Sequence, residues 1–402
     1  MRARGKGALL TVLCAALLVA CGPRGQNGKH VEPKPSGEAG EPLADAGPAE
    51  PELPNVPFAM LGGGPRHEFR ATVPGPARAP VEIAVFRAGG RIAASPVIGP
   101  DGTIYVGSVD GTFNALRRDG GLRWSYVAGA PIFSTAAVSE GGAVYVGCDD
   151  DTLLAFAADG AVRWTYRQKQ DVDSSPVIAE GGAIYVGGEG LHAITASGER
   201  RWMSLLGGAH VSASPAMLPN GRVAVGGHDH RVYALQPDGT AAWAFATGGP
   251  VEGPIAALGG GDVVFGSTDG KLYRLGPEGG KRFAVDVGGA VRGGVAVAAD
   301  EGTLYAGTMA GELVAIDAAK GAVEWRVKTG GPIRATPVLD PEGRLYVGSR
   351  DRGLYAVDAA TGEIAWRVEL GAEIDAAVAI ASGRRLVVAS DDGAVRLMAE
   401  AQ

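Results

Sequence analysis

The chain has 402 residues and a formal net charge of −7, because 44 acidic residues outweigh 37 basic ones. This sign argues against a nucleic-acid-binding protein, which needs a basic surface to meet phosphates. Glycine is abundant, with 65 residues, whereas aromatic residues make up only 6% of the chain. Short clusters of Val and Ile alternate with Gly, Asp and Pro, and this pattern predicts many short strands and few helices.

The first twenty residues predict a secretory leader. A basic start precedes an apolar run over residues 8–20, which is too short to span a bilayer as a helix. The run ends in LVAC and resembles the bacterial lipobox, which implies cleavage before Cys21 and lipidation of Cys21. The alternative is an ordinary leader followed by a chance cysteine. The residue after Cys21 is Gly22. An Asp at this position would retain a lipoprotein at the inner membrane, so the resemblance implies an outer-membrane location facing the periplasm or the cell surface.

Residues 21–80 are predicted to be the lipidated cysteine followed by a disordered tether. Residues 22–80 hold twelve of the chain's 25 prolines and show no hydrophobic period. Such a composition buries too little apolar surface to offset the entropy lost on ordering. The tether would hold a folded domain away from the membrane.

From residue 95 onward the sequence repeats at about forty residues, a period typical of propellers. The units open with segments such as SPVIGPDGTIYVG (95–107) and TPVLDPEGRLYVG (336–348). Each unit offers four short strand signals, with a tight turn, often Asp-Gly, between the second and third. Eight such units predict an all-β fold over residues 81–402, an eight-bladed β-propeller of four-stranded antiparallel blades.

The eighth unit ends before its fourth strand, and the missing strand is predicted at the other end of the propeller. VEIAVFRAGGRI (81–92) resembles GEIAWRVELGAEI (362–374). We therefore expect the N-terminal strand to complete the last blade, because an open ring would expose two unpaired blade faces.

The segment VDAATGEIAW (357–366) resembles the repeat of the quinoprotein, or PQQ-like, β-propeller family. In that family the repeated Trp docks one blade on the next, so the resemblance implies a buried docking residue here. Asp358 is expected to cap its own turn and Gly362 to supply a positive φ. Every tryptophan falls at this repeat position, with a Phe in the fifth unit, which gives the docking set Trp124, Trp164, Trp202, Trp243, Phe283, Trp325 and Trp366.

Quinoprotein dehydrogenases of this family bind a metal ion through Glu, Asn and Asp, and they hold the quinone between adjacent cysteines and a Trp. This sequence has no adjacent cysteines and no Trp beyond the docking positions. Cys148 is expected to be a small buried residue, and His228 and His230 coincide with a hairpin turn. We therefore predict no enzyme activity, no cofactor and no metal site, with a quinone-dependent dehydrogenase as the alternative.

A binding rim is predicted at the channel mouth. In each unit it is formed by one position just before the first strand, where the residue type varies although the surrounding sequence is nearly constant. A merely solvated rim is the alternative interpretation. Arg292 and Arg334 are expected to meet an anionic or acidic partner. Acids in the neighbouring hairpin turns, such as Asp110 and Asp351, are interpreted as turn geometry. The candidate rim residues are Phe133, Asp173, Glu252, Arg292, Arg334 and Asp375.

The lipobox, the tether and a propeller without quinone ligands together resemble the BamB family of lipoproteins from the outer-membrane β-barrel assembly machinery. The resemblance implies a non-enzymatic scaffold with protein partners in the bacterial envelope and a lipid anchor in the membrane. A propeller that senses a sugar or polymer is a further alternative.

Overall fold

The computed structural model describes residues 29–31 and 58–401. It contains eight sheets that each supply one four-stranded antiparallel blade. First strands of neighbouring blades contact one another, which places them around a central channel. The predicted eight-bladed β-propeller is confirmed. Within the described ranges, no helix is both long enough and apolar enough to cross a membrane.

The strands are numbered in chain order. Two precede the first blade, β1 (Lys29–Val31) and β2 (Pro80–Arg87). Blade 1 consists of β3 (Val97–Ile98), β4 (Ile104–Gly107), β5 (Thr112–Leu116) and β6 (Leu122–Val127), and blade 2 of β7 (Ala137–Val138), β8 (Val144–Cys148), β9 (Thr152–Phe156) and β10 (Val162–Arg167). Blade 3 consists of β11 (Val177–Ile178), β12 (Ile184–Val186), β13 (Leu191–Ile194) and β14 (Arg200–Ser204), and blade 4 of β15 (Ala216–Met217), β16 (Val223–Gly227), β17 (Arg231–Leu235) and β18 (Ala241–Ala246). Blade 5 consists of β19 (Ala256–Ala257), β20 (Val263–Gly266), β21 (Lys271–Leu275) and β22 (Lys281–Asp286), and blade 6 of β23 (Val295–Val297), β24 (Thr303–Gly307), β25 (Glu312–Asp317) and β26 (Ala322–Lys328). Blade 7 consists of β27 (Val338–Leu339), β28 (Arg344–Gly348), β29 (Gly353–Asp358) and β30 (Ile364–Glu369). Blade 8 consists of β31 (Ala379–Ala381), β32 (Arg385–Ala389) and β33 (Ala394–Glu400), together with β2. Short 3-10 turns occur at Leu61–Gly63 and Leu206–Gly208.

The ring is closed by strand β2. It pairs antiparallel with β33, from Pro80 opposite Glu400 to Arg87 opposite Ala394, and so becomes the fourth strand of blade 8. The predicted closure by the N-terminal strand is therefore confirmed. At blade 1, β1 adds a fifth strand outside β6, with Lys29 opposite Val127.

A repeated glycine explains how closely the blades approach each other. A Cβ added at Gly107, at the end of the second strand of blade 1, would lie 2.1 Å from Ile132 of blade 2. The same clash recurs at later boundaries, for example 2.1 Å between Gly266 and Val291. Any larger residue would force neighbouring blades apart, which is the physical reason for the glycine in the repeated IYVG segment.

Residues 58–79 form a strap across one mouth of the channel. The backbone of Phe58 exchanges two hydrogen bonds of 3.0 Å with Ile98 of blade 1, and Ala59 O accepts from Val138 N of blade 2 at 2.7 Å. Around the ring, strap carbonyls accept further bonds from the first strands of blades 4 to 7, with the donors Met217 N, Ala257 N, Val297 N and Leu339 N at 2.8 to 2.9 Å. The strap therefore visits the blades in chain order and covers this end of the channel.

Side chains of the strap are part of the core. Phe69 is fully buried and fills the space left by Gly294, where an added Cβ would lie 2.8 Å from its ring. Farther along, Pro76 O accepts hydrogen bonds from Trp366 Nε1 at 3.2 Å and Tyr346 Oη at 3.1 Å. In other blades the docking Trp donates its indole hydrogen bond to the next blade. In blade 7 the strap supplies the acceptor for Trp366 instead.

The strap corrects the predicted tether, whose assigned range extended to residue 80. Residues 58–79 are instead anchored on the propeller, because Phe58 and Phe69 bury aromatic surface and the backbone pairs with the first strands. Three further tether residues, 29–31, pair with blade 1. The predicted leader, Cys21 and the rest of the tether lie outside the described residues.

Removing the strap should destabilise the propeller. We expect a chain that begins at residue 58 to unfold in urea at the same midpoint as the full chain, and a chain that begins at residue 80 to unfold at a clearly lower one. Phe69→Ala should cost about 3 to 5 kcal/mol, the usual loss for a buried Phe. Equal midpoints for the two truncated chains would contradict a structural role of the strap.

Candidate functional site: the channel mouth

The open mouth of the channel lies opposite the strap, because the first strands run from the mouth to the strap. It is built from the loop before each first strand and the turn between the second and third strands. These two parts are joined by backbone hydrogen bonds, such as Thr268 N to Pro250 O at 3.0 Å and Arg350 N to Pro332 O at 2.9 Å. Beneath each rim position lies a fully buried Ile or Val, namely Ile92, Ile132, Val172, Val211, Val251, Val291, Ile333 and Ile374.

The basic rim residues are held by acids of neighbouring blades. Arg292 Nη1 lies 2.8 Å from Glu252 Oε2, and Arg334 Nη1 lies 3.5 Å from Asp375 Oδ2. Arg350, which the sequence analysis did not select, binds both carboxylate oxygens of Asp375 at 2.9 and 2.7 Å. Arg292 and Arg334 are therefore paired cations, and the charge predicted to meet an acidic partner is partly neutralised within the rim.

Asp375 is the most enclosed of the candidate rim residues, with a side chain that is 0% exposed. Burial raises the pKa of its carboxyl, but the hydrogen bonds and charge of Arg350 and the charge of Arg334 outweigh burial, and the pKa is lowered. The carboxylate thus fastens arginines from blade 7 to blade 8.

An acidic group with two histidines occupies the mouth over blades 2 to 4. Asp173 Oδ2 lies 3.6 Å from His210 Nε2, and His228 Nε2 lies 2.7 Å from Ser212 Oγ. The neighbouring His210 ring lowers the pKa of Asp173. Burial, followed by the neighbouring carboxyl of Asp173, raises the pKa of Asp149 well above its usual range.

The remaining candidate, Phe133, lies under a cation from blade 1. The guanidinium carbon of Arg91 is 5.8 Å from the centre of the Phe133 ring, and Arg91 Nη1 is 3.4 Å from Asp391 Oδ2 of blade 8. Every candidate rim residue therefore contacts a group from a neighbouring blade, so the rim side chains link the blades. The spacing of the repeats located the positions, but it could not show that they pair with one another.

The turn acids have the geometry of hairpin turns. Asp110 Oδ1 accepts from Thr112 N at 2.9 Å, and Asp351 Oδ1 accepts from Gly353 N at 2.8 Å. Asp269 accepts from Lys271 N at 3.0 Å and from Tyr273 Oη at 2.5 Å. Their oxygens thus satisfy donors of their own turns.

The docking residues lie on the fourth strands, away from the mouth. Their indole nitrogens donate to the next blade or the strap, Trp124 to Ala158 O, Trp164 to Ala196 O, Trp202 to Pro237 O, Trp243 to Pro277 O, Trp325 to Ala359 O and Trp366 to Pro76 O, at 2.8 to 3.2 Å. Phe283 lies against Gly321 of blade 6. These contacts support the predicted docking role. Only Trp124 and Trp366 are buried and the others are partly exposed, because their outer faces border solvent.

The motif that suggested the family has the predicted turn chemistry. Asp358 Oδ1 accepts from Ala360 N at 3.0 Å and from Thr361 N at 2.9 Å. Gly362 has a φ of 77° and lies against the ring of Trp325. The motif therefore forms a turn beneath a docking Trp.

The residues at the mouth do not fit the quinone and metal of the related dehydrogenases. Among residues 29–31 and 58–401 no group of three His, Cys, Asp or Glu could hold a metal ion. Cys148 is fully buried, and burial raises the pKa of its thiol. No docking Trp faces the mouth, because each one bonds at the blade edge. His230 is exposed in its turn with a φ of 64°, while His228 bonds Ser212.

The strap places a buried histidine at the closed end of the channel. His67 is 0% exposed with a φ of 51°, and in the described structure neither ring nitrogen has a well-formed hydrogen bond. Burial lowers the pKa of His67 to about 4, although the nearby Ile255 carbonyl offsets part of this effect. His67 is therefore neutral at pH 7.

The four-stranded blades, the docking tryptophans and the interlocked rim define a PQQ-like repeat β-propeller. The sequence matches the family described as "Outer membrane protein assembly factor BamB" over residues 74–210, 188–283, 268–342 and 337–401. The chain belongs to this family. Most of the strap lies before the matched region. A comparison with curated proteins found no match.

Solved structures of two functional classes share the fold. BamB from Moraxella catarrhalis has a TM-score of 0.68 and 17% identity over 80% of this chain and 100% of that one. A europium-containing methanol dehydrogenase has a TM-score of 0.68 and 15% identity, covering 84% of this chain and 89% of the other. Quinohemoprotein alcohol dehydrogenase from Comamonas testosteroni has a TM-score of 0.73 and 15% identity, covering 86% and 81%.

Protonation of His67 should make the protein acid-sensitive. Because its folded pKa is lowered from 6.5 to about 4, its contribution to stability is complete above pH 6.5 and falls as the pH drops toward 4. The loss should reach roughly 3 kcal/mol. His67→Asn, which tolerates a positive φ, should flatten this part of the profile in urea unfolding at pH 7 and pH 4.5. The exposed His230→Asn is the control, and identical profiles for both variants would contradict the assignment.

Proposed function

We propose that this protein is a non-enzymatic binding scaffold of the bacterial envelope, held by a lipid on Cys21, that takes part in outer-membrane protein assembly. Membership of the BamB family is the observation that carries the proposal. Removal of residues 1–20 would expose Cys21, and the residues between Cys21 and the strap would form the tether. The propeller would then present its mouth to protein partners in the envelope.

The geometry of the mouth supports binding of a protein. Its charges are fixed by pairs between blades, as in Glu252–Arg292 and Asp375–Arg350, so the rim presents a pattern that needs little ordering when a partner binds. The strap closes the other end of the channel, which leaves the mouth as the concave entrance. Acids and histidines lie over blades 2 to 4 and arginines over blades 6 and 7, and this division would orient a partner.

Affinity capture tests the scaffold role. The acylated chain, isolated from detergent-solubilised membranes, should recover components of the β-barrel assembly machinery. Arg292→Glu with Arg334→Glu should reduce recovery about tenfold, since rim charges set partner orientation. Lys320→Glu, in an exposed turn on the opposite face, should leave recovery unchanged.

A charge exchange separates recognition from stability in this experiment. Glu252→Arg with Arg292→Glu retains the ion pair between blades but reverses its direction. Lost capture with an unchanged melting temperature would assign the effect to recognition. Full capture by all rim variants would remove the rim from the binding surface, and recovery of no assembly components would contradict the scaffold role and favour a sugar or polymer ligand.

The dehydrogenases among the similar structures define the competing function. Purified protein mixed with pyrroloquinoline quinone and either calcium or a lanthanide should show no change in quinone absorbance and no alcohol-dependent dye reduction. We expect this result because the mouth offers neither a ligand group of three acids or histidines in the described residues nor a free Trp. Dye reduction above the protein-free rate would establish an enzyme.

A further inference from the structure

The outer edge where blade 8 meets blade 1 combines exposed aliphatic residues with arginines. Val81 and Ile83, on β2 of blade 8, are 51% and 50% exposed. The turn after β5 of blade 1 packs on this strand, since a Cβ added at Gly120 would lie 3.1 Å from Ala84 Cβ. The turn and the two strands beside it therefore form one surface, the seam, which consists of Val81 and Ile83 on β2, Arg117 and Arg118 on the turn, and Arg123 at the start of β6.

The seam is locally basic on an acidic protein. Arg123 Nη1 lies 2.5 Å from Asp101 Oδ2, and Arg117 Nε lies 3.5 Å from Asp119 Oδ1. Arg118 Nη2 donates to the Asp101 carbonyl at 3.2 Å. Three arginines against two aspartates leave one positive charge, whereas the whole chain has a net charge of −7. Glu82, between Val81 and Ile83, pairs instead with Arg396 of β33 at 3.2 Å. The pairs lie at the surface, where solvent weakens them.

The start of the chain is attached beside this seam. Strand β1 pairs with the outer strand of blade 1, with Lys29 opposite Val127. Seven residues lie between Cys21 and Lys29, and the eight steps along the chain, at about 3.5 Å each, span at most about 28 Å. If Cys21 carries the proposed lipid, blade 1 must stay within that distance of the membrane. This step rests on the proposed function.

We propose that the seam is a membrane-contact surface that binds anionic phospholipid headgroups. Val81 and Ile83 enter the interfacial region, while the arginines of the neighbouring turn meet lipid phosphates. The propeller then lies with the edge of blades 8 and 1 against the membrane and with its channel axis along the membrane surface. In this orientation the mouth remains free for a protein partner.

Vesicle binding by the unlipidated protein tests the seam without the anchor. The mature chain carrying Cys21→Ser should co-sediment with phosphatidylcholine vesicles that contain phosphatidylglycerol and not with pure phosphatidylcholine, and salt should weaken the binding. Arg117→Glu with Arg118→Glu should weaken it about tenfold or more. The control is Lys271→Glu with Lys281→Glu, two exposed positions on blade 5. Absence of binding by the Cys21→Ser chain, or equal effects of both double variants, would overturn the proposal.

A second measurement uses the acylated protein and a matched pair of positions. Ile83 and Ile364 occupy the same place in the repeat, on blades 8 and 7, and Ile364 is 43% exposed. A fluorophore on Ile83→Cys should be quenched by nitroxide-labelled lipid several times more strongly than one on Ile364→Cys, while Cys148 is buried and does not react. Equal quenching would overturn the orientation.

These outcomes are independent of the scaffold role. The rim variants Arg292→Glu and Arg334→Glu should bind vesicles like the parent chain, and the seam variants should still capture assembly components from detergent. If the Cys21→Ser parent chain does not bind vesicles while the acylated parent chain still captures assembly components, the seam proposal alone fails. If the acylated parent chain captures no assembly components while the Cys21→Ser chain binds vesicles, the scaffold role alone fails.

Discussion

The ring depends on one contact repeated between blades, in which the glycine that ends a second strand admits an Ile or Val from the next blade. At Gly348 an added Cβ would lie 2.2 Å from Ile374, so the blades pack with no space for a side chain. This contact fixes the position of the loop that follows the aliphatic residue. Because the rim side chains leave the backbone directly after that residue, the same contact sets the geometry of the mouth.

The boundary between blade 8 and blade 1, where the ring closes, is built differently from the other seven blade boundaries. Ala389 stands where the other second strands have glycine, and the fourth strand of blade 8 comes from β2. No turn joins β33 to β2, because β2 continues from the strap, and Pro76 of the strap accepts the indole hydrogen bond of Trp366 instead. The strap and β2 thus complete the last blade together, which makes the packed unit larger than the eight repeats.

The architecture followed from the sequence because its determinants are local and repeated. The IYVG strands, the Asp-Gly turns and the resemblance of residues 81–92 to residues 362–374 each needed only a comparison of one unit with another. The strap carried no such signal, because its Pro and Gly content matched a tether and its backbone partners lie on six first strands far away in sequence. The pairing of Arg350 with Asp375 was missed for a related reason, since two positions can be assigned to one mouth from their register while their side-chain contacts depend on rotamers.

The rim shows how a repeat scaffold can carry a particular surface. The buried Ile and Val positions are nearly uniform, whereas the next residue changes from Phe133 to Asp173 to Arg292 around the ring. Each of the six candidate rim side chains is then restrained by a group from another blade. A substitution at one rim position therefore alters two blades, so the charge pattern of the mouth changes in coupled pairs.

The strap also determines how the domain bears mechanical load. A pull from the start of the chain acts first on the pairing of β1 with β6. It then acts on the paired backbone of Phe58 and Ile98 in blade 1, which is joined by two hydrogen bonds. Peeling must then proceed blade by blade around the channel, and β2 stays paired with β33 until the strap has been released. Tension between an anchor and the propeller is thereby spread along a circular path before it reaches the strand that closes the ring.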